Sequence, residues 1–172
     1  MSGRLTRADW SSLALRVLSE EGPEGLTIAR LCERAGKTRG SLYHHFPGRE
    51  ALLEATLEAW RARNTDALIQ ATPPERGAAG HLNELALALD FELEQAARRL
   101  ISREPWLERH IREVDAARIE HLKRLNAAEG VDEETAQTQA ELEYAIFLGV
   151  QQLDLTPERI KTLYAWFVDK LS

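Results

Sequence analysis

Cysteine occurs once in the 172 residues, as Cys32. A single thiol excludes an internal disulfide framework and a cysteine-based zinc site. Long apolar runs are missing as well, and nothing approaches the roughly 18 to 20 residues that span a bilayer. The opening residues Met1-Ser2-Gly3-Arg4-Leu5-Thr6-Arg7 lack the apolar core of a secretory leader, so a cytoplasmic protein is expected. Strand signals are nearly absent. So are Gly-x-Ser-x-Gly and His-Glu-x-x-His, and Cys32 falls on an apolar helix face, which leaves no nucleophile or ligand cluster for an enzyme. No cofactor is implied. Metal is not expected either: His44 and His45 are adjacent, so they point roughly 100° apart on a helix, and His81, His110 and His121 are isolated.

Acidic residues outnumber basic ones, giving a net charge of −6. The surplus is uneven. Residues 1–47 hold seven Lys/Arg against five acids, a balance of +2, whereas the remainder carries −8. That distribution suits a small nucleic-acid-facing head on an acidic body.

The residues that are present recur at helical spacing, and all six prolines fall between the periodic segments. The pattern predicts an all-α chain of about eight to nine helices. Helix 1 spans about Thr6 to Glu21, with Trp10, Leu13, Ala14, Val17 and Leu18 on one stripe, and Gly22-Pro23 stops it. Thr27 caps helix 2, with Leu26 and Leu31 as a hydrophobic staple; Ile28, Leu31, Cys32 and Ala35 face inward, and Gly36 ends it. Helix 3 runs from Thr38 to just before Pro47. A fourth runs from near Gly48 to about Gln70, followed by one clear loop, 71–80. A fifth carries Leu82, Leu85, Leu89, Leu93, Ala96 and Leu100 on a wide apolar face that suggests a central, mostly buried helix. A sixth runs from about Pro105 to Ala128, a seventh from the Asp132 cap to about Leu153. The eighth opens at Thr156-Pro157 with a Leu155–Ile160 staple and a stripe of Ile160, Leu163, Tyr164, Phe167, Val168 and Leu171.

Three short helices with a tight turn between the second and third form a helix-turn-helix unit, whose later helix enters the major groove of DNA. The chemistry of helix 3 divides by face. Leu42 and Phe46, four apart, point inward. Thr38, Arg39, Gly40, Tyr43 and His44 remain for the other side. Arg39 can bond a guanine bidentately, Gly40 allows close backbone approach, and Thr38 or Tyr43 can reach a base edge or phosphate. Ser41, His45 and Arg49 suit phosphate contacts, which fix register without reading sequence. Thr27 and Thr38 are caps first and DNA contacts second.

Residues 6–53, through Gly22-Pro23-Glu24-Gly25-Leu26-Thr27-Ile28-Ala29-Arg30-Leu31 and above all Ser41-Leu42-Tyr43-His44-His45-Phe46-Pro47-Gly48-Arg49-Glu50, resemble the DNA-binding domain of the TetR family of transcriptional regulators. The resemblance implies base-facing positions at Thr38, Arg39, Gly40, Tyr43 and His44, and phosphate contacts from Tyr43, His45 and Arg49, where the family commonly has lysine. It implies a division into a DNA-binding domain, 1–47, and an effector-binding and dimerisation domain, 48–172. It further implies a homodimer that binds a palindromic operator in double-stranded DNA, formed by the last two helices (132–153 and 156–171), and repression relieved by a small-molecule effector. Aromatic or polar residues of the buried helices are the pocket candidates: Trp60, Phe91, Trp106, His110, Tyr144 and Phe147, with Leu89, Leu93 and Val114, for an apolar or aromatic ligand. The competing reading is a helical protein-binding or enzymatic module on the same scaffold.

Overall fold

The computed structural model describes residues 4–153 and 155–171, without the side chains of Pro157 and residues 168–171. Val168 and Leu171 of the expected last stripe therefore lie outside the described side chains. Among the described residues the chain is all-α, with helices α1 (Arg7–Gly25), α2 (Ile28–Ala35), α3 (Arg39–Tyr43), α4 (Arg49–Arg61), α5 (Ala67–Ala71), α6 (Ala78–Leu87), α7 (Phe91–Arg103), α8 (Glu108–Ala128), α9 (Glu133–Val150) and α10 (Pro157–Leu171). None of them is long and apolar enough to cross a membrane. The chain forms two compact units, one of residues 1–64 with 90–112 and the other of 65–89 with 113–172.

The first unit begins with a capping box. Thr6 accepts from the Asp9 amide, and the Asp9 carboxylate accepts from the Thr6 amide, which satisfies the open end of α1 and holds the Asp9 carboxyl below its usual range. The apolar stripe of α1 is buried, with Trp10, Ala14, Val17 and Leu18 all at 0% exposure. It packs against α4 and α7. Regular helix stops where Gly22-Pro23 predicts: Gly22 takes φ 69°, and the residues up to Gly25 form one further turn. In α2 the Thr27 hydroxyl accepts from the Arg30 amide, while Leu26 and Leu31 are buried as the staple requires.

Helix 3 is shorter than its pattern predicts. It spans only Arg39–Tyr43, because the His45 amide reaches back three residues to the Leu42 carbonyl and tightens the last turn ahead of Pro47. The expected fourth helix is interrupted too. After α4, residues Ala62–Asp66 form a π-helical turn before α5. Such turns insert one extra residue into a helix, a feature that hydrophobic spacing cannot register. Within it Asn64 and Thr65 are buried.

The wide apolar helix expected over 82–100 is two helices. Asp90 caps a new helix, α7, by accepting from the Leu93 amide at 3.0 Å, and its second oxygen accepts from the Ser19 hydroxyl at 2.7 Å. Leu93, Ala96 and Leu100 are buried in the first unit. Leu82, Leu85 and Leu89 belong to the second unit and are only half-buried. A polar residue that reads as surface thus divides one apolar stripe between two units. In the second unit, Asp132 accepts from the Thr135 amide to start α9, and Thr156 caps α10. α9 ends at Val150 rather than Leu153.

Asp90→Ala removes both the cap and the Ser19 bond. It is expected to lower stability by about 1–2 kcal/mol in urea unfolding, whereas an uncapped continuous helix would leave stability unchanged.

Candidate nucleic-acid interface

The turn between α2 and α3 is built from local chemistry. Gly36 is left-handed, at φ 60°, a conformation that glycine adopts without steric cost. Its amide and that of Lys37 close onto the carbonyls of Glu33 and Cys32. Thr38 then caps α3 through the Ser41 amide. A five-residue helix has little stability of its own, so its orientation comes from what it buries. Leu42 and Phe46 are both at 0% exposure, as the spacing predicts. The Arg7 guanidinium lies over the Phe46 ring at 4.8 Å from its centroid and donates to the His45 carbonyl at 3.4 Å.

The opposite side is open. Thr38, Arg39, Gly40 and His44 are exposed, Tyr43 is 48% exposed, and Ser41 and His45 are half-buried. A side chain added at Gly40 would meet only the Thr38 hydroxyl, at 3.8 Å. Steric need therefore does not explain this glycine, and its lack of a side chain keeps the exposed face low. The rings of His44 and His45 stand edge to face, 5.0 Å apart at an interplanar angle of 81°. No group of histidines, cysteines and acids suited to a metal occurs among the described residues.

The cations of the first unit are unequal. Arg30 donates to Glu21 at 2.8 Å and to Glu33 at 2.9 Å, and Arg34 to Glu21 at 2.9 Å and to Glu20. The Arg30 bond is the main cause that holds the Glu21 carboxyl below its usual range. Those two arginines are committed to a surface network. Arg39 has no acidic partner among the described residues. Arg49 is intermediate: its Nη1 pairs with Glu104 at 2.6 Å while the side chain remains 45% exposed. Glu104 also accepts from Trp106 Nε1 at 3.1 Å, and these two bonds, Trp106 first, keep its carboxyl low. An exposed pair of this kind is worth under about 1 kcal/mol, so an anion of comparable charge can exchange with Glu104.

Sequence reasoning passed over Arg4 and Arg7. Arg4 meets the His44 ring nitrogen, which puts both N-terminal arginines beside the exposed end of α3. The available signal was two cations spaced three apart on either side of the Thr6 cap. Thr27 is exposed and occupied as a cap.

The pocket candidates do not share one unit. Trp60, Phe91, Trp106 and His110 fall in the first, Tyr144 and Phe147 in the second. Trp60 is fully enclosed and donates to Glu94 at 3.1 Å, and Arg98 donates to the same buried carboxylate at 3.2 Å. Phe91 and His110 are half-buried, and Trp106 is 41% exposed. Leu93 and Val114 are core residues. Tyr144 and Phe147 stack at 6.2 Å, and the Tyr144 hydroxyl donates to Asp115 at 2.6 Å.

An all-α fold that opens with a capped helix pair, a left-handed glycine turn and an exposed third helix defines a helix-turn-helix protein. Residues 12–56 match the family described as "Bacterial regulatory proteins, tetR family". That match covers the helix-turn-helix segment of the chain. The chain is 47% identical over 51 residues to the tetracycline repressor protein class A from transposon 1721 of Escherichia coli, a match covering 30% of this chain and 24% of that protein. It is 33% identical over 120 residues to the HTH-type transcriptional repressor AcnR of Corynebacterium diphtheriae, covering 64% of this chain and 60% of the relative. These matches therefore span about a quarter and about three fifths of the relatives' lengths. The crystal structure of the multidrug binding protein EbrR complexed with imidazole superposes with a TM-score of 0.59 at 25% identity, over 92% of both chains.

The two faces of α3 differ in what their loss costs. Phe46→Ala should destabilise the protein by about 3–5 kcal/mol, and Tyr43→Ala by no more than about 0.5 kcal/mol, in denaturant unfolding followed by circular dichroism. Equal costs would contradict the division by face.

Proposed function

We propose that the chain is a sequence-specific DNA-binding transcriptional regulator, acting as a repressor, that binds a palindromic operator as a homodimer and leaves it when a small molecule binds the body. The observation that carries this reading is the five-residue α3, anchored by Leu42 and Phe46 and open along Thr38, Arg39, Gly40, Tyr43 and His44. Arg39 is the base reader: it is exposed and has no carboxylate partner to displace among the described residues. Ser41, His45 and Arg49 serve the phosphates, with Thr27 at the margin. Arg49 exchanges Glu104 for a backbone phosphate, a swap between two anions at one guanidinium. Functionally the chain divides into a reader, 1–47, and an effector-binding and dimerisation body, 48–172.

Dimerisation through α9 and α10 is supported by what those helices leave uncovered. Leu142, Ala145 and Gly149 recur at helical spacing on α9 and are exposed, and on α10 Trp166 is 64% exposed. Small residues permit close helix approach, and the large apolar ones supply the area. A two-fold pair of readers would meet half-sites roughly 34–36 Å apart. The effector acts by favouring one of two dimer states, and the shift it produces is limited to its differential affinity for them.

The test begins with sites selected from random DNA by the purified protein. The selected sites are expected to be palindromic, and the binding steeply salt-dependent. Arg39→Ala should cost about 1–3 kcal/mol and relax preference at one base pair per half-site, whereas Arg49→Ala should weaken all sequences alike and lower the salt slope. Failure to enrich any sequence at low salt would overturn the reading. Sedimentation that shows a monomer would remove the dimer from it.

A further inference from the structure

A pocket of about 600 Å³ opens within the second unit, between Ala79 and Gly80 of α6, Asn126 of α8, Glu129 just beyond it, and Gln139 and Glu143 of α9. Its size is that of a small-molecule site. None of the pocket candidates expected from the sequence lines it.

Its two acids differ in kind. Glu129 is served locally: one oxygen accepts from the Gly77 amide at 2.6 Å, and the other faces the Arg76 guanidinium at 3.7 Å. Glu143 has no such service. It is only 8% exposed, and its hydrogen-bond partner is the neutral Asn126 amide at 3.3 Å. No cation pairs with it among the described residues. Burial pushes its carboxyl above the usual range, with the Asn126 bond opposing, and the nearby Tyr164 hydroxyl is pushed up by burial first and by Glu143 second. Glu94, the buried acid of the first unit, shows the contrast: an indole N–H and a guanidinium both serve it. A buried carboxylate without a countercharge is unfavourable unless something supplies one.

The other walls suggest what that would be. The Asn126 and Gln139 amides accept and donate, and Ala79 and Gly80 leave room for an apolar body. One guanidinium against two carboxylates leaves the lining one negative charge in excess. We infer that this pocket binds a small organic cation with an N–H-bearing head, its charge set against the Glu143 carboxylate and its apolar body against the Ala79–Gly80 wall. An anion of the same shape would face an uncompensated carboxylate, and a neutral one would leave it unpaired. Binding here needs no DNA. The inference rests on the effector reading above only for its consequence at the operator.

Benzamidine, benzamide and benzoate share one shape and differ in charge, so calorimetric titration of each into the full chain tests the assignment. Benzamidine is expected to bind saturably, one per chain, with the other two at least about tenfold weaker. Glu143→Gln should abolish that preference. The variant should melt no lower than the native protein at neutral pH: a carboxyl whose folded pKa is raised loses stability as pH rises above its unfolded value, and glutamine carries no charge to bury. Gly80→Trp offers a second variant, because an added Cβ there meets no atom within 4 Å. It should fill the site and remove benzamidine binding while leaving the melt intact. No saturable heat with millimolar benzamidine, equal binding of benzoate, or undiminished binding by either variant would overturn the assignment. Benzamidine binding that leaves a DNA complex unaltered would keep this site and remove the effector role. Absence of any DNA complex would bear on the reader alone.

Discussion

The insertion of Leu42 and Phe46 into the core of the first unit is the contact on which the reading of this protein depends. α3 has five residues, too few to hold a helix in water by its own hydrogen bonds. Two fully buried side chains four positions apart, with a guanidinium over one ring, supply what the backbone cannot. Because the inner face takes all the anchoring, Thr38, Arg39, Gly40, Tyr43 and His44 have no packing duty. That freedom is what allows them to be chosen for another purpose. Pro47 completes the arrangement: it cannot extend the helix, and Gly48 then starts α4 in a new direction.

Charge in the first unit is organised by pairing more than by number. A balance of +2 over residues 1–47 is too small to attract DNA by itself. Arg30 and Arg34 spend donors on Glu20 and Glu21, which ties α2 to α1, and Arg30 also on Glu33 within α2. Among the described residues Arg39 has no carboxylate partner, and Arg49 keeps a half-exposed side chain in its pair with Glu104. Arg4 and Arg7 add cations beside α3 that a count along the recognition segment would omit. The composition of the head thus understates its electrostatic bias, because part of the negative charge is already engaged.

The two buried glutamates show how burial alone fails to distinguish structure from function. Glu94 lies under an indole and a guanidinium and closes a network between α4 and α7. A group so fully satisfied stiffens the fold and has little capacity left for a ligand. Glu143 is nearly as buried, borders open volume and has one neutral amide. Removal from water costs both carboxylates; among the described residues only Glu94 has a cation beside it.

Much of this protein was legible in its sequence because the controlling interactions are local. Caps at Thr27, Thr38, Asp132 and Thr156, stops at Gly22 and Gly36, and the inward spacing of Leu42 and Phe46 depend on residues within four positions of one another, and each is where the pattern put it. Family resemblance was legible for the same reason, since the motif is a single continuous segment. Interactions across the chain were not. Asp90 divides an apolar stripe because Ser19, 71 positions away, meets its carboxylate. The π-helical turn at Ala62–Asp66 shifts the side chains of α5 by one residue relative to α4, and no periodicity records it. Trp60 reads as a pocket residue until Glu94 accepts its N–H. Which aromatic side chain is core, which arginine is engaged and which buried acid has a cation beside it among the described residues are matters of distance between remote residues. Those distances are set by tertiary packing, whereas helix starts, stops and faces are set by neighbours along the chain.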